Sequence, residues 1–93
     1  MSDTLDRLLT IIAERQAHPR PESYTCKLLA GGPAQAARKV GEEAVEVVVA
    51  ALAEDDNRLV EETADLVYHL LVLLSSRSVP WERVLAELDR RAR

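Results

Sequence analysis

The chain has 93 residues, of which 47% are hydrophobic yet none is Phe, so one all-α domain over residues 1–93 is expected, with a core of Leu, Val, Ile and Ala. Folding at that size buries only a little over ~60% of the surface the unfolded chain exposes, and a homodimer is expected. A net charge of −4 argues against general binding to nucleic acid or anionic membrane, and Cys26, being alone, allows no intrachain disulfide and fits a reducing compartment.

Residues 3–17 read as an amphipathic helix, because Leu5, Leu8, Leu9 and Ile12 recur at i, i+3, i+4 and i+7 behind a Ser2/Asp3 cap. With Asp3 and Asp6 so early, this stretch lacks the basic-then-apolar plan of a signal peptide. No apolar run anywhere approaches the ~20 residues of a membrane span, so the cytoplasm is the expected location. His18-Pro19-Arg20-Pro21 stops the helix. Residues 18–33 hold the chain's highest density of breakers and read as a long connection of the kind that binds ligands or stays disordered, with room for a short helical turn between Ser23 and Ala30.

Pro33 suits the first turn of a second helix that runs to about residue 53, with Ala36, Val40, Ala44, Val47, Val48 and Ala51 along its apolar face. Gly41 inside it costs ~1 kcal/mol relative to Ala, which points to close packing or ligand approach there. Glu54-Asp55-Asp56-Asn57 is too short for anything except an antiparallel helical hairpin. The third helix, about 57–75, is apolar over much of its circumference and reads as buried on more than one side. Ser78 with Pro80 opens a last helix through Trp81, Val84, Leu85 and Leu88. Tyr68 and Trp81 read as packing residues. The expected architecture is therefore a four-helix bundle around a central hairpin, completed by dimerisation.

Two carboxylate pairs stand out on that hairpin. Glu43 and Glu46 on the second helix, and Glu62 and Asp65 on the third, are each spaced i,i+3 and so project together. Lys39 precedes Glu43 by one turn, and His69 follows Asp65 by one turn, as an interior histidine or a ligand contact. An antiparallel hairpin lets the two acidic stripes face each other. Gathering four like charges costs free energy unless something positive sits among them, and oxygen ligands without a Cys/His set point to Mg²⁺ or Mn²⁺. The alternative from spacing alone is solvated charge paired with Arg38, Lys39 or Arg58.

Lys39-Val40-Gly41-Glu42-Glu43-Ala44-Val45-Glu46, followed by Glu62-Thr63-Ala64-Asp65-Leu66-Val67-Tyr68-His69, resembles the paired E-x-x-E and E-x-x-D signature of the all-α nucleotide pyrophosphohydrolases, the MazG-like group. With Ser23-Tyr24-Thr25, Leu28-Leu29 and Gly31 ahead of that signature, the chain is similar, more narrowly, to the phosphoribosyl-ATP pyrophosphohydrolase family of histidine biosynthesis, over about residues 5–91. That resemblance implies Mg²⁺-dependent hydrolysis of a phosphoribosyl nucleotide to release pyrophosphate. Carried onto this sequence, it makes Glu43, Glu46, Glu62 and Asp65 metal ligands and Glu42 or Glu46 the group that orients or deprotonates water. Lys39 is then a phosphate contact with a share in catalysis, and Ser23, Tyr24, Thr25, Lys27, Gly31 and His69 are substrate contacts, with Arg20 beside Lys27 for the outer phosphates. A cyclohydrolase domain, often fused in that family, has no counterpart here, so a stand-alone form is expected. Two competing readings remain: a house-cleaning nucleoside triphosphate pyrophosphohydrolase of the MazG type, and a non-catalytic helical dimerisation module.

Overall fold

The structure, a computed structural model, describes residues 3–92, so the Ser2 cap lies outside the described residues. Among the described residues there are five helices and no strand: α1 (Asp3–Ala17), α2 (Tyr24–Ala30), α3 (Gly32–Ala53), α4 (Asp56–Ser76) and α5 (Trp81–Arg91). The four expected helices are all present. The fifth, α2, turns much of the 18–33 connection into ordered structure.

Helix α2 forms because Ser23 caps it. The Ser23 backbone is extended, and its Oγ accepts from the Cys26 amide at 3.2 Å, satisfying an amide that the first turn leaves unpaired. Cys26, buried beneath the breaker segment, accepts from the Arg20 amide through Sγ at 3.2 Å, which ties residues 18–23 back onto α2. Gly31 closes α2 by donating to the Lys27 and Leu28 carbonyls, and α3 starts at once with Gly32 at φ +75 and Pro33 behind it. A left-handed φ strains any residue with a Cβ, so Gly32 allows the chain to turn from α2 into α3 without a loop.

Helices α3 and α4 form the dominant contact, an antiparallel hairpin across the two-residue link Glu54-Asp55, whose Asp55 caps α4 by accepting from the Arg58 amide at 2.9 Å. The core lies at one end of this hairpin. Ile12 from α1, Leu28 from α2, Ala36 from α3 and Leu71 and Val72 from α4 are shut off from solvent, with Leu5, Leu8, Leu9, Val67 and Trp81 packed around them. Gln16 of α1 donates to the Ser75 carbonyl at 3.0 Å and holds that end together.

The other end is bare. Val48, Leu52 and Val60 are 56%, 84% and 67% exposed, and Val45 and Val49 are exposed beside them. The expectation that α4 is buried on more than one side therefore holds only for its C-terminal half, around His69, Leu71 and Val72. Its N-terminal half packs against α3 alone among the described helices, and Val60 there stays exposed. Gly41 does not mark close packing either, since a Cβ there meets nothing within 4 Å. At the last helix Pro80, not Ser78, occupies the cap position, and Ser78 sits in the preceding turn at φ 57. No helix among the described residues is long and apolar enough to cross a membrane.

Candidate metal and phosphate centre

The hairpin register decides which side chains meet. Antiparallel packing sets Glu43 of α3 beside Glu62 and Asp65 of α4, where one carboxylate oxygen from each lies within 4.8 Å of the other two. Glu43 and Glu62 are buried, at 7% and 5% exposure, whereas Asp65 is open to solvent. The fourth expected ligand, Glu46, is exposed and outside this trio, yet its carboxyl lies close enough to Glu62 to perturb it.

Glu62 carries the electrostatic signature of the cluster. Its pKa is raised, first by a shared hydrogen bond with the Glu46 carboxyl, then by burial and by the Glu46 charge, with Asp65 adding to the rise and Arg58 opposing it. Its Oε1 is buried and has no hydrogen-bond partner. A buried carboxylate oxygen left unpaired costs free energy unless a positive group reaches it. An all-oxygen donor set with one orphaned buried oxygen fits a hard divalent cation.

Two basic side chains flank the trio. Lys39 Nζ lies 3.5 Å from Glu43 and 3.3 Å from Glu42, and its pKa is raised first by the Glu42 hydrogen bond, against burial, with Tyr24, Glu42 and Glu43 contributing charge. Glu42 is thus turned toward Lys39 and toward Arg38 at 3.8 Å, along the exposed side of α3. Arg58 reaches Glu61 and Glu62 at 2.6 Å each and Glu54 at 3.7 Å. In the sequence Arg58 reads only as a surface counterion, although its place four residues before Glu62 signals that the two meet.

One turn beyond Asp65 an aromatic group closes the site. His69 is buried, with Nδ1 2.7 Å from the Asp65 carbonyl and Nε2 2.9 Å from the Tyr24 hydroxyl. Tyr68 stacks on Tyr24 with centroids 6.2 Å apart, and its hydroxyl pairs with Thr25 Oγ1. The Tyr68 pKa is raised, chiefly by burial, against the Thr25 hydrogen bond. Ser23 and Thr25 therefore use their hydroxyls to fasten α2. Gly31 sits at the joint of α2 and α3.

Lys27 is exposed and lines, with Arg20 and Cys26, a cavity of about 230 Å³; Arg20 pairs with Glu14 at 3.7 Å. Among the described residues no ion pair joins Lys27 or Arg20 to the four carboxylates.

Comparison with known proteins agrees along the whole chain. A family profile described as Phosphoribosyl-ATP pyrophosphohydrolase matches residues 5–92. A relative from Pyrobaculum islandicum named Phosphoribosyl-ATP pyrophosphatase is 55% identical over 91 residues, covering 98% of this chain and 97% of its own length. Relatives of the same name from Rhizobium johnstonii and Sphingopyxis alaskensis are 50% and 49% identical, covering 95% and 98% of this chain and 82% and 84% of their own.

Proposed function

We propose that this chain, which belongs to the phosphoribosyl-ATP pyrophosphohydrolase family, hydrolyses the α–β phosphoanhydride of 1-(5-phosphoribosyl)-ATP to phosphoribosyl-AMP and pyrophosphate, an early step of histidine synthesis, at the carboxylate cluster between α3 and α4. The observation that carries the placement is the convergence of Glu43, Glu62 and Asp65 around the unpartnered Glu62 Oε1.

Glu43, Glu46, Glu62 and Asp65 would hold Mg²⁺, or Mn²⁺, which when bound neutralises phosphate oxygens and lowers the pKa of water. Glu46, exposed beside Glu62, is the carboxylate best placed to take the proton of the attacking water. Lys39 meets the anhydride oxygens with a compact charge, and Glu42 holds Lys39 in position. Tyr24 faces the organic part of the nucleotide from the end of the site. Lys27 and Arg20, which make no ion pair with the four carboxylates among the described residues, serve the outer phosphates.

The bare apolar end of the hairpin supports a homodimer, in which a second copy covers Val45, Val48, Val49, Leu52 and Val60. A histidine-pathway substrate supports a cytoplasmic location. A comparison of turnover on phosphoribosyl-ATP, dUTP and dCTP tests the substrate: phosphoribosyl-ATP is expected to be strongly preferred. Faster turnover of either pyrimidine triphosphate would assign the chain to nucleotide house-cleaning instead.

A further inference from the structure

Arg58 stands where helix energetics would not put it. It lies in the first turn of α4, three residues after the Asp55 cap, with its amide bonded to that cap at 2.9 Å. The N-terminal end of a helix carries partial positive charge and favours acidic residues, and an acid–base pair four residues apart is better with the acid first. Arg58 goes against both preferences. Its guanidinium nevertheless has three carboxylates around it: Nη1 donates to Glu61 at 2.6 Å, Nη2 donates to Glu62 Oε2 at 2.6 Å, and Nε lies 3.7 Å from Glu54. A rigid planar fork engaged at all three nitrogens has little freedom left. The consequence falls on Glu62, which is 5% exposed: Oε2 is tied to Arg58, while Oε1, shut off from solvent, has no partner. The terminal torsion of a glutamate is otherwise broad and two-fold, so an untied carboxylate offers either oxygen.

We propose that Arg58 is a positioning residue for the metal site: by holding Oε2 it fixes the plane of the Glu62 carboxylate and leaves Oε1 as the one oxygen that Glu62 contributes, with Glu43 and Asp65, to a divalent cation. This inference rests on the proposed metal centre and adds the residue that orders it. A surface counterion would behave differently. Arg58 is half exposed, and exposed ion pairs contribute little to stability. The two roles differ in sign at the metal. Removing a positive charge beside a cation site should by itself tighten cation binding. Releasing a ligand carboxylate from the outer group that orients it weakens binding, by about 10- to 100-fold.

The test is Mn²⁺ binding to substrate-free protein, read from the electron paramagnetic resonance of free Mn²⁺, in wild type, Arg58→Gln, Arg58→Lys and Asp55→Ala, with Mg²⁺ titrations of phosphoribosyl-ATP turnover alongside. Arg58→Gln is expected to weaken Mn²⁺ binding about tenfold or more and to raise the Mg²⁺ needed for half-maximal turnover by a similar factor. At saturating Mg²⁺ its KM for phosphoribosyl-ATP should match wild type. Arg58→Lys keeps the charge with a single donor atom and should fall between Arg58→Gln and wild type. Asp55→Ala loosens the same end of α4 without touching Glu62 and should bind Mn²⁺ as wild type does. Unchanged or tighter Mn²⁺ binding in Arg58→Gln would overturn the inference, because Arg58 would then be a counterion only. Equal weakening in Asp55→Ala would overturn it too, by tracing the loss to the helix end, as would a raised KM at unchanged Mn²⁺ affinity, which would make Arg58 a phosphate contact. The wild type separates this claim from the reading beneath it. Mn²⁺ binding without turnover overturns the proposed reaction alone, binding and turnover with an indifferent Arg58→Gln overturn this inference alone, and absence of Mn²⁺ binding overturns both the metal centre and this inference.

Discussion

Glu62 is a carboxylate held where a carboxylate is uncomfortable. Its raised pKa means that the folded state binds its proton more tightly than the unfolded chain does. Stability from this group is therefore fully present below its unfolded pKa and lost as pH rises through the folded one. Melting of metal-free protein from acid toward neutral pH should show Glu62→Gln gaining on wild type as pH rises, and saturating Mg²⁺ should reverse the order by stabilising only wild type. Equal pH slopes for the two proteins would mean that the cluster carries no strain. The i,i+3 pairs were legible in sequence because the rule that sets them side by side is local. The bond from Tyr24 to His69 spans 45 residues, and Thr25 to Tyr68 spans 43, so no spacing could announce either. His69 reads in sequence as an interior histidine or a ligand contact, and in the structure it is buried and holds two hydrogen bonds.

At the scale of elements, the caps are the exposed points of dependence. Asp55→Ala removes the side chain that accepts from the Arg58 amide and should cost about 1 kcal/mol, lowering Tm by roughly 4–8 °C in a domain of this size. Ser23→Ala should cost about the same. Because Ser23 caps the short helix that carries Tyr24, its KM should rise as well, whereas Asp55→Ala should leave KM alone. Gly41 offers the opposite experiment. A Cβ there enters open space in mid-helix, so Gly41→Ala should stabilise the folded chain by about 1 kcal/mol in chemical denaturation. A loss of activity in that more stable variant would show that substrate or a second subunit approaches α3 at Gly41. The four long helices were readable from periodicity. Helix α2 was only glimpsed, since its seven residues lie in a segment dominated by Pro and Gly and its stability comes from the Ser23 cap and the burial of Cys26 and Leu28.

The whole molecule is looser than its length requires. A chain of this size is expected to have a radius of gyration of about 12 Å, and the observed value is 14.2 Å, because the α3–α4 hairpin projects beyond the core that α1 and α2 cover. Periodicity drew the apolar face of α3 through Val48 and Ala51, which this chain alone leaves exposed, and passed over Ala50, which is buried. If a second copy covers that exposed face, Leu52→Asp combined with Val60→Asp should convert a dimer to a monomer in light scattering, with a lower Tm. A monomeric wild type would contradict that assembly. The claim on which the rest depends is that the carboxylates between α3 and α4 cleave phosphoribosyl-ATP, and release of pyrophosphate from that substrate by wild type and Glu62→Gln, with and without Mg²⁺, tests it most directly. Wild type should release one pyrophosphate per phosphoribosyl-AMP only with Mg²⁺, and folded Glu62→Gln should be slower by at least about 100-fold; Mg²⁺-independent release, or wild-type turnover by Glu62→Gln, would contradict it.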